Sequence, residues 1–382
     1  MNGHTAPGQV AETTGRVGQL AAALAATVSR PWTVMEVCGG QTHAILRWGL
    51  DQLLPPGLRL IHGPGCPVCV TPAERLDAAL ALAARPDVIL CSYGDMLRVP
   101  GSAAGAAGAG ADPVAATDLL GARAAGGDVR LLTSPLEAIA LAQGAPDREV
   151  VFLAVGFETT APATGLLLRQ ARALGLANLS VLLAHVRVAP AMEALLQEPA
   201  NQVQGFLAAG HVGAVMGTAE LRQLVERHRV PVVVTGFEPA DVMGGLLRLV
   251  QLLEAGTPAL ANAYGRVVRD QGNGAAQALL EEVFVVTDQP WRGLGPIAGG
   301  GFALAPAYRH FDALERLGAP ALGPEPAATN PCISGRILQG RATPQECPAF
   351  GRSCTPEHPL GAPMVSSEGA CAAYYRYRRP AP

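Results

Sequence analysis

The chain has 382 residues, of which 49% are hydrophobic and 15% charged, and its net charge is -3. That length suits two or three domains with their own cores, and the composition leaves no room for long disordered tracts. The slightly acidic balance excludes a broad nucleic-acid or anionic-membrane surface. All 28 basic residues are arginine, which excludes a lysine Schiff base and a Walker-type phosphate loop.

The first element is "VGQLAAALAATVSR" at 17–30. No basic cluster precedes it and it is far shorter than a membrane span. Leu20, Leu24 and Val28 recur every four residues, so it reads as an amphipathic helix and the chain as cytoplasmic. Next come apolar strand candidates: "TVMEV" (33–37), "LRLIH" (58–62), "DVILC" (87–91) and "DVRLL" (128–132). A second set comprises "EVVFLAV" (149–155), "LSVLLA" (179–184), "VGAVM" (212–216), "VPVVVT" (230–235) and "EVFVV" (282–286). These runs are continuously apolar and not alternating, as expected of parallel strands covered on both faces. The fold class is α/β, two doubly wound domains with mainly parallel sheets. The glycine-rich stretch 101–113 predicts a mobile surface loop. "GFETT" after one strand and "GFEPAD" after another hint at two related halves. Past residue 305 prolines crowd in and strand signals stop. The expected division is therefore 1–145, 146–304 and a C-terminal segment 305–382.

Eight cysteines in a reducing compartment point to metal or redox chemistry before structural disulfides. Cys38 opens "CGGQTH" at the carboxyl end of the first strand, where open α/β sheets place ligands. Before a helix N-terminus its pKa should be depressed, making it a nucleophile or a soft-metal ligand. Gly39 and Gly40 would let the backbone approach a ligand closely. Cys66 and Cys69 form a Cys-x-x-Cys pair after the second strand, facing the same crevice if the strands are neighbours. The pair is half of a zinc site completed by His43 or His62, a redox dithiol, or two thiols in a turn; a dithiol beside a third thiol is the best chemical fit. Cys91 reads as strand packing. Cys332, Cys347, Cys354 and Cys371 are separated by 14, 6 and 16 residues. No knuckle-like pair exists among them, so a cubane iron–sulfur cluster, zinc or unliganded thiols all remain open.

The motifs "EVCGGQTHAI", "HGPGCPVCVTP", "SYGDMLRVPGS", "GFETTAP", "AAGHVGAVMG", "GFEPAD", "WRGLG" and "ECPAFGRSCTPEHPLGAPMVSSEGACAAYY" together resemble the HypD family of [NiFe]-hydrogenase maturation factors, from about residue 33 to 375. The resemblance implies a scaffold for assembling the Fe(CN)₂CO group with a small HypC-type chaperone and a HypE-type cyanide donor, serving the hydrogenase large subunit indirectly. It implies that Cys38 helps hold the iron, that Cys66 and Cys69 are redox active, and that Cys332, Cys347, Cys354 and Cys371 bind a [4Fe–4S] cluster. The family usually has histidine where Gln41 stands, and "PGHV" is here Ala209-Gly210-His211-Val212.

An electron path from the cluster through Cys66 and Cys69 to the iron is the mechanism these features support. His43, Asp95, Glu158 with Thr159, His211 and Glu368 are candidates to serve the crevice, and Met364 and Glu368 to tune the cluster. Glu158 reads equally as a cap on the next helix through Thr159 and Thr160, Asp95 equally as an N-cap, and His185 as a core histidine. The alternative is an iron–sulfur-dependent thiol:disulfide oxidoreductase acting on a protein partner, or a zinc-stabilised binding module.

Overall fold

The computed structural model describes residues 7–102, 116–318 and 331–378. Among them, β1 (Trp32–Glu36), β2 (Leu58–His62), β3 (Val88–Ser92), β4 (Val129–Leu131), β5 (Glu149–Gly156) and β6 (Leu179–His185) precede β7 (Gly205–Ala209), β8 (Val232–Thr235) and β9 (Leu260–Asn262). β10 (Phe284–Trp291) and β11 (Gly295–Leu304) follow. One parallel sheet has the order β2-β1-β7-β8-β9, and a second has the order β4-β3-β5-β6. The α/β reading with parallel sheets holds. β5 and β6 are buried along almost their whole lengths, which is why their sequences are apolar without alternation.

The chain lays down β1 and β2, leaves to build the second sheet, and returns with β7 to β9 to complete the first. The contiguous division at 145 and 304 therefore cuts across the five-stranded sheet. Two further expectations are corrected. "VGAVM" at 212–216 is not a strand but the body of the helix Gly210–Met216; the strand is the preceding "GFLAA". A short buried apolar run has no periodicity that separates the two. The run at 282–286 leads into β10, which pairs antiparallel with β11 as a two-stranded ribbon outside both parallel sheets. The glycine-rich loop predicted at 101–113 lies outside the described residues from 103 onward.

The helix Pro239–Glu254 begins with Pro in its first turn and buries Val242, Leu246, Leu249 and Leu253. These meet Leu20, Leu24 and Val28 of the N-terminal helix region in one apolar cluster beneath the five-stranded sheet. No helix among the described residues is long and apolar enough to cross a membrane. Leu246 lies at the centre of this cluster and is fully buried. Leu246→Ala should cost about 2–5 kcal/mol, read as a lower denaturant midpoint at unchanged slope.

Candidate functional site

The site begins with a charge in an apolar strand. Glu36 ends β1 with 0% exposure, and its carboxylate has three partners. Oε2 accepts the Cys38 backbone N–H at 2.8 Å, and Oε1 accepts the Thr42 hydroxyl at 2.5 Å and faces His62 Nδ1 at 2.6 Å. Glu36 and His62 are register partners on β1 and β2. One buried carboxylate thus clamps the ends of two strands to the first turn of the helix Gly39–Arg47.

Cys38 caps that helix with extended backbone. Its thiol is not depressed, as its position before a helix predicts, but pushed up to about 12, first by burial and then by the charges of Glu36 and Glu368. The backbone N–H groups of Gln41 and Gly40 pull the other way and lose. Gly39 and Gly40 are required by the protein itself. A Cβ on Gly39 would sit 2.5 Å from Glu368 Cβ, and one on Gly40 would sit 3.1 Å from the Phe237 ring. The His211 ring stacks on Phe237 at 4.0 Å, so His211 borders this crevice through an aromatic intermediary. Burial lowers its pKa.

Cys66 and Cys69 are 3% and 1% exposed and joined as a disulfide, with Cα atoms 5.3 Å apart. Gly65, immediately before Cys66, lies directly on Cys38: Gly39 N–H donates to Gly65 O at 2.7 Å, and any Cβ on Gly65 would strike the Cys38 backbone. The backbones of the two cysteine motifs therefore touch at Gly65 and Cys38. On its other side the short helix Pro67–Val70 packs against the turn Ala362–Met364.

That turn walls the next station. Cys332, Cys347, Cys354 and Cys371 line one apolar chamber with Ile337, Phe350 and Met364. Cys371 is raised well above the usual thiol range by burial and then by its three companions. Gly361 is needed there because a Cβ would sit 2.5 Å from Cys332 Sγ. Among the described residues, no three His, Cys, Asp or Glu side chains are grouped to hold a single metal ion.

The other candidates have other partners. His43 has Nδ1 3.1 Å from Ser367 O and its ring edge-on to Tyr377, so it ties its helix to the helix Ala370–Tyr377 and gains no contact with the thiols. Asp95 is not an N-cap; it accepts the Ser366 hydroxyl at 2.7 Å, and its charge joins burial in raising the Glu368 pKa. Glu158 does not cap the following helix. Its Oε1 accepts Val188 N–H at 3.0 Å, while Oε2 has no partner among the described residues. Burial, then Glu220, pushes its pKa up to about 7. Its neighbour Phe157 belongs to the apolar cluster holding Cys66 and Cys69 and stacks on Trp291. His185 is the core histidine expected, bonded to the Thr164 hydroxyl at 2.8 Å, and Cys91 is buried in β3.

With this geometry in place, comparison with known proteins is decisive. Residues 15–378 match the family described as "HypD: Hydrogenase formation hypA family". Relatives include the hydrogenase maturation factor HypD of Rhodobacter capsulatus, 44% identical over 94% of this chain and 93% of that protein. Its counterpart in Escherichia coli K12 is 44% identical over 98% and 97%. The hydrogenase expression/formation protein HupD of Azotobacter chroococcum is 46% identical over 94% of both. The chain belongs to the HypD family.

In this HypD-family chain Gln41 is wholly buried, and its Nε2 reaches the carbonyls of Ala208, Thr235 and Gly236 at 3.2–3.4 Å. It ties the helix of Cys38 to the ends of β7 and β8. Glu36 and Phe237 escaped the sequence reading. A carboxylate inside an apolar strand, two residues before Cys38, was the signal for the first; Phe237 had none beyond its place at a strand end.

Glu158 carries a pH signature. An acid raised to about 7 in the fold contributes stability that is complete below the ordinary carboxylate value and is lost as pH rises through about 7. Denaturant midpoints of the wild type should therefore fall relative to Glu158→Gln between about pH 5 and 7.5. Parallel curves would show that Glu158 does not titrate in this range.

Proposed function

We propose that the chain acts in hydrogenase maturation as a scaffold on which the Fe(CN)₂CO group is assembled, with that group as cargo at Cys38. The observation that carries this reading is the contiguity of three sulfur stations: the four-thiol chamber, the turn Ala362–Met364, the Cys66–Cys69 helix and, through Gly65, Cys38. As among its named relatives, the setting is hydrogenase maturation. The partners are a HypC-type chaperone and a HypE-type cyanide donor, with the hydrogenase large subunit as eventual recipient, and the compartment is the cytoplasm.

The chamber's donor set fits a [4Fe–4S] cluster. Four thiols from separated positions face a common apolar space, and their mutual repulsion when ionised calls for a positively charged centre between them. Cys332, Cys347, Cys354 and Cys371 would hold the cluster, which when bound supplies one-electron reducing equivalents.

The remaining steps belong to the chain's own side chains. Opening the Cys66–Cys69 disulfide takes two electrons and two protons; closing it returns them. Cys38 is a protonated thiol at rest, and a ferrous ion must displace its proton to bind. Glu36 and Glu368, which raise that thiol, also favour a cation beside it. Glu368, held above the usual carboxylate range by burial and by Asp95, is the carboxyl whose charge reaches Cys38 from the C-terminal segment.

Burial argues against the oxidoreductase alternative. A disulfide 3% and 1% exposed offers no face to a folded protein substrate without opening of the fold.

The test compares Cys66→Ser with Cys38→Ser in anaerobic protein co-purified with its small partner, using infrared spectroscopy in the CN and CO stretching region. Cys38→Ser should abolish the bands and the bound iron. Cys66→Ser should keep iron but fail to complete the ligand set; equal loss of iron in both variants would contradict the relay. The purified protein should be brown, and a colourless, zinc-containing preparation would refute the cluster.

A further inference from the structure

Beside the four-thiol chamber lies a second, open pocket of about 490 Å³, on the far side of Met364. Met364 lines both spaces, so one side chain separates them. The pocket floor is made of Ala372 and Ala373 on the helix Ala370–Tyr377, which follows Cys371 directly. Arg98 and Arg376 stand in its walls with His43, and no carboxylate lines it. Arg98 is held in place by donating to Pro356 O at 2.8 Å. Glu357, a neighbouring acid that feels Arg98, is not part of the lining. Arg376 is exposed and has no carboxylate partner among the described residues.

Two guanidinium groups around an open floor with Pro356, Met364, Val365 and two alanines are complementary to an acidic protrusion that also carries apolar surface. The proposed function needs electrons from outside the chain, and the Cys66–Cys69 face is sealed.

We infer that this pocket is the docking site of an acidic one-electron carrier protein, which reduces the thiol-held centre across Met364. In the step, one electron leaves the carrier, which is oxidised, and is accepted at the centre, which is reduced; no atom is transferred. The inference rests on the cluster reading above, and the experiment separates the two.

A small acidic [2Fe–2S] ferredoxin serves as the probe. Its affinity for the oxidised protein is measured by titration calorimetry, and its reduced form is mixed with the brown protein in a stopped-flow instrument, with dithionite as a small-reductant control. Arg376→Glu should weaken binding and slow reduction by the carrier about tenfold or more at low salt, with the difference fading near 0.5 M salt. Arg376→Lys should behave as wild type, and dithionite should reduce all three alike. Equal affinities and rates for wild type and Arg376→Glu would overturn the docking site while leaving the cluster intact. Binding of ATP in the pocket without competition from the carrier would overturn it too, making it a small-anion site. Protein without a cluster spectrum would instead sink the underlying reading.

Discussion

Everything at the site hangs on the buried carboxylate of Glu36. A charge with no solvent exposure survives only if its oxygens are occupied, and here the occupants are drawn from three different elements: His62 on the adjacent strand, Thr42 in the helix, and the backbone of Cys38. Satisfying Glu36 therefore fixes how β1, β2 and the helix Gly39–Arg47 meet. Because Cys38 and Gly65 follow those strand ends, the same constraint brings the two sulfur motifs together. His62 extends the connection outward, its ring edge-on to Tyr374 on the helix that carries Cys371. Removing one partner would strand an unpaired charge in the interior, which is costlier than never having built the pair.

The interleaved topology serves the same end. A sheet completed only after the chain has built a second one has its central strands, β1 and β7, drawn from distant sequence. Their carboxyl ends come together with that of β8, and Gln41 stitches the seam. The crevice is thus lined by Cys38 from an early segment, by Phe237 and His211 from the returning one, and by Glu368 from the C-terminal segment. The surroundings of Cys38 therefore draw on three segments widely separated in the sequence.

Much of this was legible in the sequence, and the failures have physical causes. Buried parallel strands declare themselves by unbroken Val, Leu and Ile runs, which is why β1 to β6 and β8 were found. β7 was missed because "GFLAA" carries small residues where a central strand usually carries β-branched ones, and β9 is a three-residue edge with little apolar content. The sulfur motifs were legible through residue type and spacing, and the fold gathers the four C-terminal cysteines around one chamber and lays Gly65 on Cys38. The direction of the Cys38 pKa was not legible, because it depends first on burial and then on charges brought by the fold. Glu36 was in view two residues away, but Glu368 comes from the other end of the chain. The same limit explains His43 and Asp95: both lie near motif residues in sequence, yet their side chains are engaged in holding the C-terminal segment.

The raised thiol at Cys38 changes what the site is for. A low-pKa cysteine on a helix N-terminus would be reactive at all times, open to alkylation and oxidation and to any disulfide within reach. Raised first by burial and then by the charges of Glu36 and Glu368, the Cys38 thiol is held in its protonated, weakly nucleophilic form. The neighbouring disulfide one residue beyond Gly65 makes that suppression necessary. A free thiolate beside Cys66 could attack the Cys66–Cys69 bond, forming a mixed disulfide and releasing the other cysteine as a thiolate with no net electron transfer. Holding the third thiol neutral keeps it from attacking the disulfide in a space where the backbones touch.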